Sequence, residues 1–479
     1  MNEIRPYEAI EKPTGPCQRL IFRWAWLVGF MIGLISPSRM MAQGHFITQK
    51  QALEELEIIR HAIVNYHPAP FRYLSEDQWH ARYHEVRATM EAADAINQFT
   101  LLTLVSPLIT LMRDEHSDLL PGEDLWKAWQ ANHRFFPFEV AITAEQSLII
   151  RHALDAAIDP GWVGKKVVSI NGNTTADIIE ALKLCGGTSA SSDFSGTLYH
   201  AFNFDNFSRL YYMCVDQSES FEVLFETGET AHFQGYLTSG TLTSMYRYNP
   251  ENHPELRFSD DSSFAYLRVS AFWPPAFKSN LKQVLQETDR YFRQMATSRV
   301  TKLVIDVRGN RGGTPFFSTY LAGYFFEQPF SPFQKITAKR QATEDFSKQF
   351  KGVRKPSVDT STDVVTLPKR LKGFNTNHDE SLIFEGEVIV LIDAGTGSAA
   401  SIFAGLMTQV AGVTFLGQET LGDGAQTTGG QFQVFELPYS KFELTLPLLL
   451  FHHGSNPRYY GVKADSPIMD DSLIPGNQP

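Results

Sequence analysis

Ser398 sits at the joint between an apolar run, "VIVLID" at 388–393, and an apolar, alanine-rich stretch beginning at Ala399. Its neighbours Gly395, Gly397, Ala399 and Ala400 are small, so a substrate backbone could come close. A helix starting at 399 would aim backbone N–H groups at developing negative charge, as a nucleophile elbow does. The commoner use of such a residue is capping, and Ser398 or Thr396 could serve the helix in that way alone.

Two other segments bear on that choice. "VIDVRGNRGGTPFF" ends a strand at Asp306 and Val307 and turns through Arg308 to Gly313, where backbone N–H groups could bind an oxyanion. It could equally be a tight strand-to-helix turn, and it lacks the lysine and serine of a phosphate loop. "MRDEHSDLL" places His116 among Asp114, Glu115, Ser117 and Asp118. A histidine in a polar loop is ordinarily solvated surface, so its value lies in combination with the serine.

The elements that must position these residues follow from hydrophobic period. From Thr48 to about Met112 the pattern is helical, with Leu56, Ile59, Ile63 and Tyr66 behind a Thr48 cap, then Phe99, Leu102, Val105, Ile109 and Met112. From about Phe136 short alternating runs, an "NG" turn and a hairpin in "SFEVLFETGETAHFQGYL" predict a small β-rich module. From about Ser263 strands and helices alternate: "FAYLRVSAF", a helix carrying Leu281, Val284, Leu285, Thr288 and Phe292, then "TKLVIDV" and "EVIVLID". Such alternation predicts an α/β layer structure with site residues at strand ends.

Composition narrows the classes. The 479 residues are 43% hydrophobic and 20% charged with a net charge of −11, which describes a folded multidomain protein. The chain has no basic block, so nucleic acid is not an expected partner. Arg19 and Arg23 precede an apolar run at 24–35 that suits a signal-peptide core better than a membrane span. Cleavage after Ala42 would remove Cys17 and leave Cys185 and Cys214, as one disulfide or two thiols; a retained N-terminal anchor is the alternative. No CxxC or HExxH pattern supports a metal, and no cofactor is expected.

Taken in order, "FAYLRVSAF", "KLVIDVRGNRGG", "VIVLIDAGTGSAASIFAG", "FLGQETLGDGAQTTGGQFQVFELPYSKFELTLPL" and "YYGVKADSPI" resemble the catalytic domain of the C-terminal-processing, or tail-specific, serine peptidases. "DPGWVGKKVVSINGNTTADII" resembles the PDZ-like module of that family, and "LMRDEHSDL" the "DGHT" segment of its histidine-using branch, related to the tricorn core peptidase. The resemblance implies a multidomain α/β chain: a signal or anchor at 1–43, a helical block at 44–125, a PDZ-like module at 132–236, and a ClpP/crotonase-like layered ββα catalytic domain at 255–479. It implies Ser398 as nucleophile, His116 as general base, and an oxyanion hole from Ala399 with Gly312 or Gly313. The substrate would be a polypeptide, outside the cytoplasm, with membrane contact only through the N-terminal segment.

The departures carry information too. The tail-specific branch uses a lysine within "GKG", where this chain reads Gly422-Asp423-Gly424, so a serine–lysine dyad is excluded on that alignment. His116 then needs a group to orient its ring, and Glu115, Asp114, Glu419 and Asp423 are the candidates. The branch's acidic partner near the C-terminus is not evident, although Asn456 and Asp465 stand in that region. Two readings follow: an exported serine peptidase, or an inactive peptide- or ligand-binding protein on the same fold. A crotonase-like acyl-CoA enzyme would share the layers but not the PDZ-like segment or His116.

Overall fold

Val388, Val390 and Ile392 face one side of a five-stranded sheet and Ile389 and Leu391 the other, all buried. That two-sided burial is why the strand Glu387–Ile392 reads as an unbroken apolar run. It pairs in parallel with Lys302–Asp306 on one side and Val413–Gly417 on the other. Phe264–Arg268 extends the sheet in parallel, and Glu255–Phe258 closes it antiparallel. The helices Pro315–Gly323 and Ala399–Met407 follow the two central strands, pack on each other, and bury Phe317, Leu321, Phe403 and Met407. The ends of those strands therefore carry both turns singled out in the sequence.

The computed structural model describes residues 45–142, 146–185, 207–237, 254–272, 281–327, 331–347, 357–358, 363–367, 380–454 and 460–467. The expected export segment, Cys17 and Asn456 lie outside the described residues. Residues 46–479 form one compact unit.

A second sheet is antiparallel, built on the long strands Gln426–Glu436 and Phe442–His452. Lys335–Lys339 and Val364–Leu367 continue it beyond one half of Phe442–His452. The strand Asp118–Pro121 joins the other half, with Asp118 opposite Thr445 and Pro121 opposite Phe442. This pairing carries the chain immediately after His116 onto the sheet.

The helices Gln49–Tyr66, Glu76–Glu91 and Gln98–Thr110 precede it. Thr48 caps the first, its side chain accepting from the Gln51 N–H at 3.3 Å while the Gln51 side chain takes the Thr48 N–H at 2.9 Å, a complete capping box. Leu56, Ile59, Ile63 and Tyr66 are all buried on its inner face. The sequence pattern missed the short strands Phe46–Thr48 and Ala95–Asn97, which pair antiparallel and tie the start of the first helix to the start of the third. Three residues are too few to show a period of two.

Between these parts lies a sheet of Phe138–Ile142, Leu148–Ala153, Lys166–Ile170, Ser220–Phe225 and Thr230–Gln234, all antiparallel neighbours in that order. Phe135 and Tyr236 exchange N–H···O bonds of 2.9 and 2.7 Å and bring its two edges together. Cys185 and Cys214 are buried thiols rather than a disulfide. Among the described residues no helix is long and apolar enough to cross a membrane.

Candidate active site

The Asp393–Ser398 turn is held from inside. Asp393 Oδ1 accepts from the Gly395 N–H at 2.9 Å and from the Gly309 N–H at 2.7 Å, which stitches this turn to the glycine-rich one. Thr396 donates its hydroxyl to the Val307 carbonyl at 3.0 Å, and Gly397 N–H donates to the Asn310 carbonyl at 3.0 Å. Ser398 itself has φ 52° and ψ −122°, a conformation costly for a residue with a Cβ. Its hydroxyl makes no cap hydrogen bond, so the capping role that the sequence alone favours is not the one it plays. The strained backbone instead presents Oγ outward at the end of a buried helix.

His116 reaches it from the other side. Its Nε2 lies 3.0 Å from Ser398 Oγ and its Nδ1 lies 3.2 Å from Thr428 Oγ1. The loop that carries it is folded by Asp114, whose Oδ1 accepts from the His116 N–H at 2.9 Å and the Ser117 hydroxyl at 3.3 Å. Phe432 packs beside the imidazole with ring centroids 5.7 Å apart. The side chain of His116 is only 15% exposed, so it is not the solvated loop residue that the surrounding charges suggest.

The acids of this region divide into separate tasks. Glu115 Oε1 is 3.9 Å from His116 Nδ1, beyond hydrogen-bond reach, and both its oxygens accept the Ser398 N–H at 3.1 Å. It lies in a slot that only glycines leave open: a Cβ on Gly397 would stand 2.9 Å from Glu115 Oε2, and one on Gly422 2.6 Å from Oε1. Burial raises the Glu115 carboxyl above its ordinary range, against the pull of His116 and the Ser398 N–H. Burial would raise Asp114 as well, but His67, with Nε2 3.3 Å from Oδ2, His116 and Arg72 outweigh it and hold that carboxyl well below the usual range.

Asp423, in the position where a lysine would act, accepts from the Tyr73 hydroxyl at 2.9 Å and from the Ala425 and Gln426 N–H groups at 2.7 and 3.1 Å. Burial raises its carboxyl, opposed by Arg72. These bonds make Asp423 a tie between the segment after the first helix and the strand that bears Thr428. The side chain of Glu419 packs beside Gly461, and Asp465 Oδ2 accepts from the Phe415 N–H at 2.8 Å at the sheet edge. Of the four candidate orienting acids, the structure brings Glu115 nearest the ring.

An oxyanion formed at Ser398 would need donors on the helix side. Ala399 is the first residue of its helix, and among the described residues its N–H has no acceptor. The Gly312 N–H is engaged by Asn310 Oδ1 at 2.8 Å, so the turn has Gly313 to offer. Gly312 contributes differently, by its lack of a side chain at φ 98°. A Cβ there would stand 2.6 Å from Ser398 Cβ and 2.7 Å from Ala399 N. Gly312→Ala is therefore expected to displace the elbow and lower turnover by roughly 100-fold in a folded protein, since small misplacements of reacting groups cost that much. Turnover beside a thermal unfolding curve checks it.

Thr428 was not among the residues singled out in the sequence. Its signal was faint: a hydroxyl five residues beyond Asp423, on the strand next to the site. Among the described residues no cluster of histidine, cysteine and carboxylate side chains could hold a metal ion.

Residues 263–468, which contain both turns and Ser398, match the model of peptidase family S41. The match covers this domain and supports a serine-type peptidase. Among solved structures it is similar to a mutant of CPAF, with a TM-score of 0.61 and 11% identity over 88% of this chain and 93% of that one. Mature CPAF complexed with lactacystin gives a TM-score of 0.58 at 13% identity, over 88% and 94% of the two chains. At such identities the likeness is one of fold. No curated protein matches the chain in sequence.

Proposed function

We propose that the protein is an exported serine peptidase that hydrolyses polypeptides through Ser398 and His116. The observation that carries this reading is the 3.0 Å separation of His116 Nε2 from Ser398 Oγ, between residues 282 apart in sequence. In the proposed reaction Nε2 takes the hydroxyl proton as Oγ attacks the scissile carbonyl. The Ala399 and Gly313 N–H groups receive the oxyanion, and the imidazolium returns its proton to the leaving amine. Water then repeats the sequence on the acyl-enzyme. Asp423 takes no part, because its carboxylate already serves Tyr73 and two backbone N–H groups.

The β-rich module at 132–236 is read as PDZ-like, its part being to bind an extended peptide and present it to the cleft. Export rests on the apolar run at 24–35 behind Arg19 and Arg23. N-terminal sequencing of the secreted protein tests that element, with a new N-terminus just after Ala42 expected.

The enzymatic reading is tested by a fluorophosphonate, which forms a stable adduct only with an activated hydroxyl. One adduct per chain, located on Ser398 by peptide mapping, is the expected result. A folded protein that neither takes the adduct nor cleaves unfolded polypeptide would instead be the inactive binding protein.

A further inference from the structure

For His116 to accept a proton at Nε2, its other proton must sit on Nδ1, and something must hold that N–H. The usual holder is a carboxylate, which can only accept and so fixes the tautomer as well as the direction of the ring. Among the described residues no carboxylate is within hydrogen-bond reach of Nδ1: Glu115 Oε1 is 3.9 Å away, and both Glu115 oxygens accept the Ser398 N–H. The atom in reach is Thr428 Oγ1 at 3.2 Å, on a residue 2% exposed. Its strand is fixed here, Thr428 standing opposite Leu450 just before the irregularity at Gly429–Phe432. At φ 136° Gly429 turns a bare backbone toward the ring, where a Cβ would be 3.8 Å from His116 Cε1.

We propose that Thr428 is the positioning residue that orients His116, with Glu115 supplying the charge that selects the tautomer. This rests on the serine peptidase reading. A hydroxyl can accept from Nδ1–H or donate to a bare Nδ1, so Thr428 fixes where the ring points and leaves the proton's location open. The Glu115 carboxylate breaks the tie, since negative charge 3.9 Å from Nδ1 favours a proton there and favours the imidazolium once Ser398 has been deprotonated. The same carboxylate holds the strained Ser398 backbone by its N–H, so one acid sets both partners of the proton transfer. The other charges facing this pair are Asp114 of the same loop, Arg311 of the glycine turn and Arg72, and the test leaves them unchanged.

The test follows the second-order rate of fluorophosphonate labelling of the full chain across pH, in wild type, Thr428→Val, Thr428→Ser and Glu115→Gln. Thr428→Val is expected to label about 10- to 100-fold more slowly, a part of the roughly 10²- to 10⁴-fold that a positioned general base contributes. Thr428→Ser should stay within about threefold of wild type, since the hydroxyl is kept. Glu115→Gln should move the acid limb of the profile to lower pH, because a neutral amide no longer favours a protonated ring. A merely structural role for Glu115 would lower the rate without moving the limb. Nitrogen-15 NMR of the histidine rings is independent of any variant: a proton on Nδ1 of His116 at high pH is expected, and one on Nε2 overturns the proposal. Wild-type rate and profile in Thr428→Val would overturn the role of Thr428 while leaving the peptidase reading intact. A wild type that takes no label at Ser398 would overturn both.

Discussion

Ser398→Ala is expected to lower hydrolysis of an unfolded polypeptide by about 10⁴- to 10⁶-fold, the scale of losses when a serine nucleophile is removed. It should also abolish the fluorophosphonate adduct. The fold gives reason to expect this loss without unfolding. Alanine keeps the Cβ that already occupies the strained φ of 52°, and the hydroxyl it removes makes no cap bond to the helix. The hydroxyl contact that disappears is the one with His116. A melting temperature within a few degrees of wild type together with lost turnover would place the defect in chemistry. A variant that keeps wild-type turnover would show that the nucleophile is elsewhere.

The second large effect belongs to His116→Ala. If the imidazole is the base, kcat falls by a factor comparable to the serine variant, and the double variant is no worse than either single one, because the two residues act as a unit. Here the structure changes the side expectation drawn from sequence. A polar-loop histidine would be removed without cost, whereas this one is 15% exposed and packs on Phe432, so a stability loss of about 1 kcal/mol is expected. The vacated space opens a further check: added imidazole should restore part of the activity, with a dependence on the concentration of its unprotonated form. Undiminished kcat in His116→Ala would remove the assigned base.

The residues legible in the sequence were those whose local context is unusual. Ser398 stood out because small residues interrupt an apolar run, and His116 because a dense polar loop follows an apolar helix; the ordered motifs then joined them. The buried strands were legible because two-sided burial leaves a continuous apolar signature. Thr428 was not, since a threonine in a strand is ordinary and its meaning comes from a contact 312 residues away in the chain. The task of Asp423 was hidden in the same way, resting on a hydroxyl 350 residues earlier. Glu115 was one acid among four, and only its distance to Nδ1 and its hold on the Ser398 N–H set it apart. Gly312 and Gly313 looked equivalent until Asn310 was seen to occupy the first N–H.

The Asp118–Pro121 strand bears on when a newly made chain becomes able to cut. It finds its partner only at Phe442–Thr445, and the His116 loop beside it meets a serine made 282 residues later. At the usual rates of synthesis, roughly 15 to 60 s separate the two residues. His116 is thus made long before Ser398, and the strand pairing next to its loop waits for a segment that follows Ser398. A nascent chain that stops short of Ser398 lacks the proposed partner of His116. On the proposed mechanism hydrolytic capacity cannot precede the synthesis of Ser398, a delay set by chain order.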